Sequence, residues 1–388
     1  MIPFAELDVG AEIVDALSFA FGMFWEILWA LILGFGISAA VQAVVSKAEM
    51  RRLMPDASPR SIGIACGLGA ASSSCSYAAV AMARSVIQKS ADFTAAMAFQ
   101  FAATNLVVEL GIVMAILLGW QFTLAELVGG PLMIVLLALL FRALLRKRLL
   151  ADAREQAERG RLGSMEGHAG MDMAVSGGTL WQRLSSPRGF TATAHSFVMD
   201  WAAIYRDIVG GILVAGALAA WVPDSAWQAL FFGGDGIGGT LWGIVVGPII
   251  AVVSFVCSIG NVPLAAVLWN GGPSFGGVIA FIFADLIVLP ILNIYRKYYG
   301  WRMALFLFAT FYAAMATAAL AVDLLFDAAG LIPAERDAKV IEASVTWNYT
   351  TVLNLIFLAL AIVLIWRSVR KGGWAMVRRM NKPAAEHG

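Results

Sequence analysis

The sequence predicts an all-α polytopic membrane protein made of two inverted repeats, with an extra transmembrane helix at the C-terminus. Each repeat is expected to hold one span, one re-entrant, broken hairpin and two further spans. Three observations lead to this prediction. They are an apolar composition, the distribution of basic residues among the loops, and an internal repeat at an offset of 182 residues.

The composition is that of a chain that lies mostly in lipid. Of its 388 residues, 60% are hydrophobic and 14% are charged, whereas a soluble domain has about a quarter charged. A net charge of +1 argues against a nucleic-acid-binding surface. The acidic start "MIPFAELDVGAEIVDA" has no basic n-region, so we expect no cleaved signal peptide. The sequence has no G-x-x-x-x-G-K-[ST] motif, so we expect neither ATP drive within the chain nor a cofactor.

Spanning a bilayer as a helix takes about 20 apolar residues. Two long apolar stretches, 61–89 and 241–272, are interrupted by small residues, Gly and Pro, and are predicted to be re-entrant hairpins. Seven other stretches qualify as spans: 22–45, 93–118, 123–145, 204–222, 277–294, 303–325 and 348–366.

The loop charges support this assignment, because Lys and Arg accumulate on the cytoplasmic side of a membrane. If both broken stretches return to the side they enter, every strongly basic segment is cytoplasmic. The expected location is a bacterial inner membrane, with the N-terminus outside and the C-terminus in the cytoplasm. The predicted organisation is repeat 1 in 1–145, a cytoplasmic linker in 146–200, repeat 2 in 201–325, and an external loop, last helix and basic tail in 326–388.

The linker contains the small, polar run "GSMEGHAGMDMAVSGG". Its His168, Met171 and Met173 are ligand types that a soft metal prefers, but they do not make a complete site. A flexible linker is the alternative interpretation.

Residues 72–107 align without a gap with residues 254–289, and ten of the 36 pairs are identical. Chance would give roughly three in this composition, which favours an internal duplication. Three crossings per repeat would insert the second copy upside down, a plan that recurs in secondary transporters. The alternative is two ordinary helical bundles with a similar apolar composition.

Two of the three cysteines lie at the midpoints of the predicted hairpins. Cys75 is the midpoint of 61–89 and Cys257 that of 241–272, so both thiols are expected near the bilayer centre. Cys66 lies nine residues before Cys75 and is a third candidate, with a packing role as its alternative. A lone buried thiol is often only a small core residue.

Small polar residues surround both tips. Ser76, Ser258 and Asn261 can satisfy backbone groups that lose their partners where a helix stops. Both returning half-helices would point their N-termini at the centre, which favours anions and thiolates. We therefore expect a binding site for a thiophilic solute or a small anion.

Ionisable residues inside spans are costly and usually functional. Glu109 and Asp285 lie well inside predicted spans, and Asn105 is four residues before Glu109, on the same face of a continuous helix. We expect Glu109 or Asp285 to couple proton movement to transport. A structural hydrogen bond between helices is the alternative.

The motif "SFVCSIGNVPLAAVLWNGGPSFGGVIAFIFADLIVLPILNIYRKYYG" (254–300), with its weaker partner from Cys75 onward, resembles the predicted permease family of the ArsP organoarsenical exporters and the YraQ proteins. The resemblance implies a polytopic inner-membrane permease that in some members exports trivalent methylated arsenicals through cysteine thiols. It matches Cys75 and Cys257 to the motif cysteines, with Cys66 as a candidate third. The first repeat departs from the family pattern, because members commonly have a Pro a few residues after the cysteine, whereas "CSYAAVAM" (75–82) has none.

The resulting expectation is a secondary permease rather than an enzyme, moving a small solute by alternating access around the hairpin tips. The expected partners are that solute and the bilayer, without nucleic acid, and a homo-oligomer stays open. Two other functions stay open as well: a membrane thiol–disulfide electron carrier that uses Cys75 and Cys257, and an importer of a sulfur compound. Against the carrier, the sequence has no CxxC. A non-transporting scaffold would leave the polar hairpins without a purpose.

Overall fold

The structure is a computed structural model that describes residues 9–46, 49, 52–72, 76–159, 175, 177–221, 236–254, 258–336, 338 and 346–374. Within these residues the regular structure is helical, without strands. The helices are α1 (Val9–Val44), α2 (Pro59–Ser72), α3 (Ser76–Gln88), α4 (Phe93–Asn105), α5 (Val108–Leu117), α6 (Trp120–Leu144), α7 (Lys147–Arg159), α8 (Leu180–Ser185), α9 (Pro187–Trp221), α10 (Ile237–Ser254), α11 (Ser258–Asn270), α12 (Phe275–Phe283), α13 (Leu289–Tyr299), α14 (Trp301–Ala328) and α15 (Tyr349–Arg370).

The chain is a multi-pass membrane protein. In the described part of the chain, six helices or helix pairs are long and apolar enough to cross a bilayer, or seven if the bent α1 is counted as one span. The six are Phe93–Leu117, α6, α10, Phe275–Tyr299, α14 and α15. The predicted span 204–222 falls within α9, which is not among them, whereas α10 qualifies although the sequence predicts it as one arm of a hairpin.

The first broken stretch runs alongside α4 and then turns back on itself. At its start, the carbonyl of Met54 accepts a hydrogen bond of 2.9 Å from the N–H of Asp92, next to the first residue of α4. Further along α2, a Cβ on Gly69 would lie 2.4 Å from the carbonyl oxygen of Phe99 in α4. α2 therefore runs beside α4 in the same direction, and α3 then returns towards the start of α4. Residues 73–75, between the two arms, lie outside the described residues.

The second broken stretch follows the same course. A Cβ on Gly243 would lie 2.6 Å from the hydroxyl of Ser274, at the start of α12, and one on Gly247 would lie 2.5 Å from the carbonyl of Gly277. α10 therefore runs along α12 in the same direction. The return arm α11 ends where the ring of Trp269 packs against Phe275 at 6.2 Å. Residues 255–257, between the arms, lie outside the described residues.

The helix boundaries of the two stretches keep the 182-residue offset. The matching boundaries are the last residues of α3 and α11 (Gln88 and Asn270) and the first of α4 and α12 (Phe93 and Phe275). The other ends, Ser72 and Ser76 in the first stretch and Ser254 and Ser258 in the second, adjoin residues outside the described part of the chain. The caps also correspond, since Asp92 caps α4 and Ser274 caps α12 with its side chain. The alignment of identical residues thus extends to where helices begin and end.

Two predicted spans are interrupted, which the sequence analysis did not expect. Span 93–118 breaks between Asn105 and Val108, and span 277–294 contains a 3₁₀ turn at 284–286 before α13 begins. Asn105 and Glu109 therefore do not share one face of a continuous helix, and that expectation was wrong. The second break had a signal, because Pro290 is tolerated in the first turn of α13, whereas in the interior of one continuous helix it would interrupt the hydrogen-bond ladder.

Helix α1 bends by 45° between Glu12–Glu26 and Leu31–Val44, and a side chain from α15 accounts for the bend. The Asn354 Oδ1 accepts a hydrogen bond of 2.8 Å from the N–H of Trp29, and its Nδ2 donates one of 2.6 Å to the carbonyl of Trp25. These two backbone groups, four residues apart, would bond to each other in an uninterrupted helix. Insertion of a side chain into this ladder is a known cause of helix kinks.

Candidate functional site where the two broken stretches meet

The two return arms meet at their first residues. The hydroxyls of Ser76, which begins α3, and Ser258, which begins α11, lie 3.0 Å apart. Both serines are buried, with 0% and 4% of their surface exposed. Residues at equivalent positions of the two sequence repeats are therefore in direct contact inside the protein.

Asp285 joins the two serines from the 3₁₀ turn. Its Oδ2 accepts a hydrogen bond of 2.8 Å from Ser76 and one of 2.7 Å from Ser258. The side chains of Thr104 and Asn105 lie beside the same carboxylate. No residue that the structure describes donates a hydrogen bond to the other oxygen, Oδ1, although Asp285 is fully buried.

Burial opposes a negative charge on Asp285, and the hydrogen bonds from the two serines offset part of that cost. A hydrogen bond to a charged group contributes about 1.5–3 kcal/mol, roughly twice a neutral one. The carboxylate also lies at the N-termini of two helices of 13 residues each, where backbone N–H groups carry partial positive charge. The site therefore has the means to hold one anionic group at the point where the two return arms converge.

Asn261 lies in the first turn of α11 and is fully buried. Among the described residues, neither its amide nitrogen nor its amide oxygen has a hydrogen-bond partner. An unpaired buried amide is unfavourable by about 1–3 kcal/mol, so such groups in native proteins usually have a reason. Among the residues that the structure describes, no three His, Cys, Asp or Glu side chains are grouped as metal ligands would be.

Not all of the residues predicted for the site can be located. Cys75 and Cys257 lie outside the described residues, and the side chain of Glu109 in α5 does as well. Asn105 is buried and donates to the hydroxyl of Thr104 at 2.9 Å, which places it beside Asp285. Cys66 is a half-buried free thiol in α2 that packs against the main apolar core.

Glu126 is a residue that sequence reasoning missed. It lies in the transmembrane helix α6 with 2% of its surface exposed, and neither carboxylate oxygen has a hydrogen-bond partner. Asp285 is close enough to interact with it electrostatically. The signal was present in the sequence, because Glu126 is a carboxylate within the predicted span 123–145, where an ionisable residue is a functional candidate by default.

Two buried cations lie towards the other end of α3. The guanidinium of Arg84 stacks over the ring of Tyr298 at 3.9 Å, and the ammonium of Lys89 donates to the carbonyl of Gln42 at 3.1 Å. They are 3% and 1% exposed. Cations are favourable near the C-terminal end of a helix, where carbonyl groups point outward. Helix α3 thus connects a carboxylate at its start to two positive charges near its end.

Comparisons with known proteins give a consistent result. A family model named ArsP_1 and described as "Predicted permease" matches residues 12–324, from α1 to near the end of α14. The Mycobacterium tuberculosis protein named "Putative permease Rv2963" is 61% identical over 346 residues, which cover 89% of this chain and 85% of that protein. No solved structure matches the chain.

Proposed function

This chain belongs to the ArsP_1 family of predicted permeases, a family of transport proteins, and from that premise we propose that it is a secondary permease of the bacterial inner membrane. The proposed cargo is a small thiophilic or anionic solute, with export of trivalent organoarsenicals as the first candidate. The observation that carries the proposal is the contact between Ser76 and Ser258 at 3.0 Å inside the protein.

The contact between the serines supports a shared site for the thiols. Cys75 and Cys257 each immediately precede one of these serines. Consecutive Cα atoms are about 3.8 Å apart, so the proposal assigns both cysteines to the place where the return arms meet. Helix N-termini lower the pKa of nearby thiols and favour the thiolate, which is the form that binds soft elements. Trivalent arsenic, which bonds to sulfur, suits such a pair.

The proposed transport cycle is alternating access between two inverted repeats. The matched boundaries of α3 with α11 and of α4 with α12 support the repeat, and the return of each stretch along its neighbouring helix supports a re-entrant hairpin. In the proposed topology the N-terminus is outside and the C-terminus is cytoplasmic. Movement of one repeat against the other would then expose the central site to each side in turn.

Charges along α3 also fit an anionic or polarisable solute. Arg84 and Lys89 lie towards the end of α3 that the proposed topology assigns to the cytoplasm. Buried positive charges attract anions because the low-dielectric surroundings strengthen their field. Asp285 and Asn105 are proposed as coupling residues near the solute, and Glu109 stays a further candidate for that role.

The proposal is tested in cells that lack their own arsenical exporters. Cells expressing the chain should accumulate less methylarsenite than cells carrying an empty vector, and the Cys75→Ser/Cys257→Ser double variant should lose this effect at equal membrane abundance. A parallel Cys66→Ser variant tells whether the third thiol is needed. Arsenite and thiosulfate are measured alongside.

Three results would contradict the proposal. Undiminished export by the double variant would exclude transport through the thiols. A Cys75–Cys257 crosslink that exchanges with a soluble thiol protein, without solute movement, would favour the electron carrier. Net uptake of thiosulfate without arsenical export would make the protein an importer of a sulfur compound.

A further inference from the structure

No described group around the carboxyl group of Glu126 would stabilise a negative charge on it. Its side chain is 2% exposed, and neither of its oxygens accepts a hydrogen bond from any described residue. Within the described part of the chain no Lys, Arg or His forms an ion pair with it. An isolated carboxylate in a low-dielectric interior costs so much free energy that the group binds a proton instead.

Helix α6 packs against the end of α12 next to Asp285, because a Cβ on Gly129, three residues after Glu126, would overlap the ring of Phe283, two residues before Asp285. Asp285, which is close enough to interact electrostatically with Glu126, lies in the opposite kind of environment. It accepts two hydroxyl hydrogen bonds, from Ser76 and Ser258, at the N-termini of two helices. These groups stabilise a carboxylate, whereas Glu126 has none of them. Two nearby carboxyl groups whose surroundings differ in this way hold one proton between them, and the proton resides on the member that lacks donors.

The other ionisable groups around the pair are few. Helix α4, which packs against α6, contains none. Helix α14 contributes Asp323, whose Oδ1 accepts the N–H of Gly276 at the start of α12. From α13, the buried phenol of Tyr295 interacts electrostatically with Asp285 and bonds to Gln100. The side chain of Glu109 in α5 lies outside the described residues.

From this juxtaposition we propose that Glu126 and Asp285 form a proton-binding pair, and that this pair is the coupling site of the permease. The inference rests on the proposed function and adds to it the coupling ion and a second carboxyl group. The pair takes a proton from water on one side of the membrane and returns it to water on the other. This movement of the proton forms no covalent bond between the pair and the solute, and it transfers no electron.

Infrared spectroscopy of the full chain in lipid bilayers tests for the proton without any solute. At neutral pH the wild-type protein should show the carbonyl stretch of a protonated, buried carboxyl group, and Glu126→Gln should lose it. Glu126→Asp keeps a carboxyl and should keep the band, which separates loss of the proton from misfolding. Glu26→Gln is the matched control, because Glu26 lies half-buried in α1 and bonds to Thr350 at 3.1 Å. It should leave the band in place.

Transport gives the second readout. With one proton exchanged per solute, a difference of one pH unit across a vesicle membrane can sustain up to about a tenfold solute gradient. The wild-type protein and Glu26→Gln should respond to this pH difference, and Glu126→Gln should show no response. Solute exchange without a pH difference measures whether the variant still binds its cargo.

The outcomes separate this inference from the proposed function. If no tested solute is moved but the band is lost only in Glu126→Gln, the proposed cargo is wrong and the protonated pair stands. If the wild-type protein transports and Glu126→Gln keeps both the band and the response to pH, the pair is overturned and the permease stands. Drive by a sodium gradient at constant pH, with no protonated band, would also overturn the pair.

Discussion

Replacement of Ser76 and Ser258 by alanine, singly and together, measures whether the two return arms share one acceptor. Each serine donates to Asp285 Oδ2, at 2.8 and 2.7 Å, and the two hydroxyls lie 3.0 Å apart. The serines are 182 residues apart in the chain, so local structure cannot couple them. Energetic coupling between them would have to arise from this contact.

The magnitude follows from the chemistry of the contact. Hydrogen bonds between side chains of membrane helices contribute about 0.6 kcal/mol on average and up to about 1.7 kcal/mol. A buried, charged acceptor places these two bonds at the upper end, so each single alanine should lower the free energy of unfolding by about 1–2 kcal/mol. Because both bonds end on one oxygen, the double variant should differ from the sum of the single variants by at least about 0.5 kcal/mol.

The assay is equilibrium unfolding in mixed micelles by titration with dodecyl sulfate. A control cycle pairs Ser76→Ala with Thr310→Ala, since the Thr310 hydroxyl bonds only to carbonyls of its own helix, at 2.7 Å to Phe306 and 3.3 Å to Leu307. The control pair should be additive within about 0.5 kcal/mol. Additivity of the serine pair within the same limit would refute the shared acceptor, and with it the meeting of the two return arms.

Two further predictions concern packing and pH. Gly69→Ala should lower the melting temperature, because its new Cβ would lie 2.4 Å from a backbone carbonyl of α4. Overpacking of this kind typically destabilises a protein by about 1–3 kcal/mol. Gly63→Ala on the same helix is the control, since its Cβ would meet nothing within 4 Å and should leave the melting temperature unchanged. The pKa of Glu49 is lowered to about 2, first by hydrogen bonds from Ser46 and then by Arg183. A depressed pKa stabilises the folded form above the unfolded pKa of about 4.5. The protection of backbone amides in 180–185 against exchange, relative to their intrinsic rates at each pH, should therefore fall as pH falls from about 4.5 towards 2 in the wild-type protein, and should already be lowered at neutral pH in Glu49→Gln.

The broken stretches could be located from the sequence because small residues, Gly and Pro inside a long apolar stretch indicate that a membrane helix is interrupted there. Ser72 and Ser254 align in the sequence, and each adjoins the residues of its stretch that lie outside the described part of the chain. The break after Asn105 carried no such mark, since Leu106 and Val107 are ordinary apolar residues.

The candidate site was predictable in part. Asp285 stood out as a lone carboxylate in an apolar stretch. Glu126 carried the same kind of signal, and like Asp285 it has no carboxylate at the equivalent position of the other repeat, where Phe308 stands. The absence of partners around Glu126 is a three-dimensional property that no single sequence displays.

The bend in α1 ties the last helix to the part of the chain that the family model matches. The family match ends at residue 324, whereas Asn354 belongs to α15, which begins at Tyr349. A protein truncated after the match would lose the amide that separates Trp25 from Trp29, and these backbone groups could bond to each other directly. α1 would straighten where it packs along α9, so the curvature of a helix in the first repeat is imposed by a segment beyond the second.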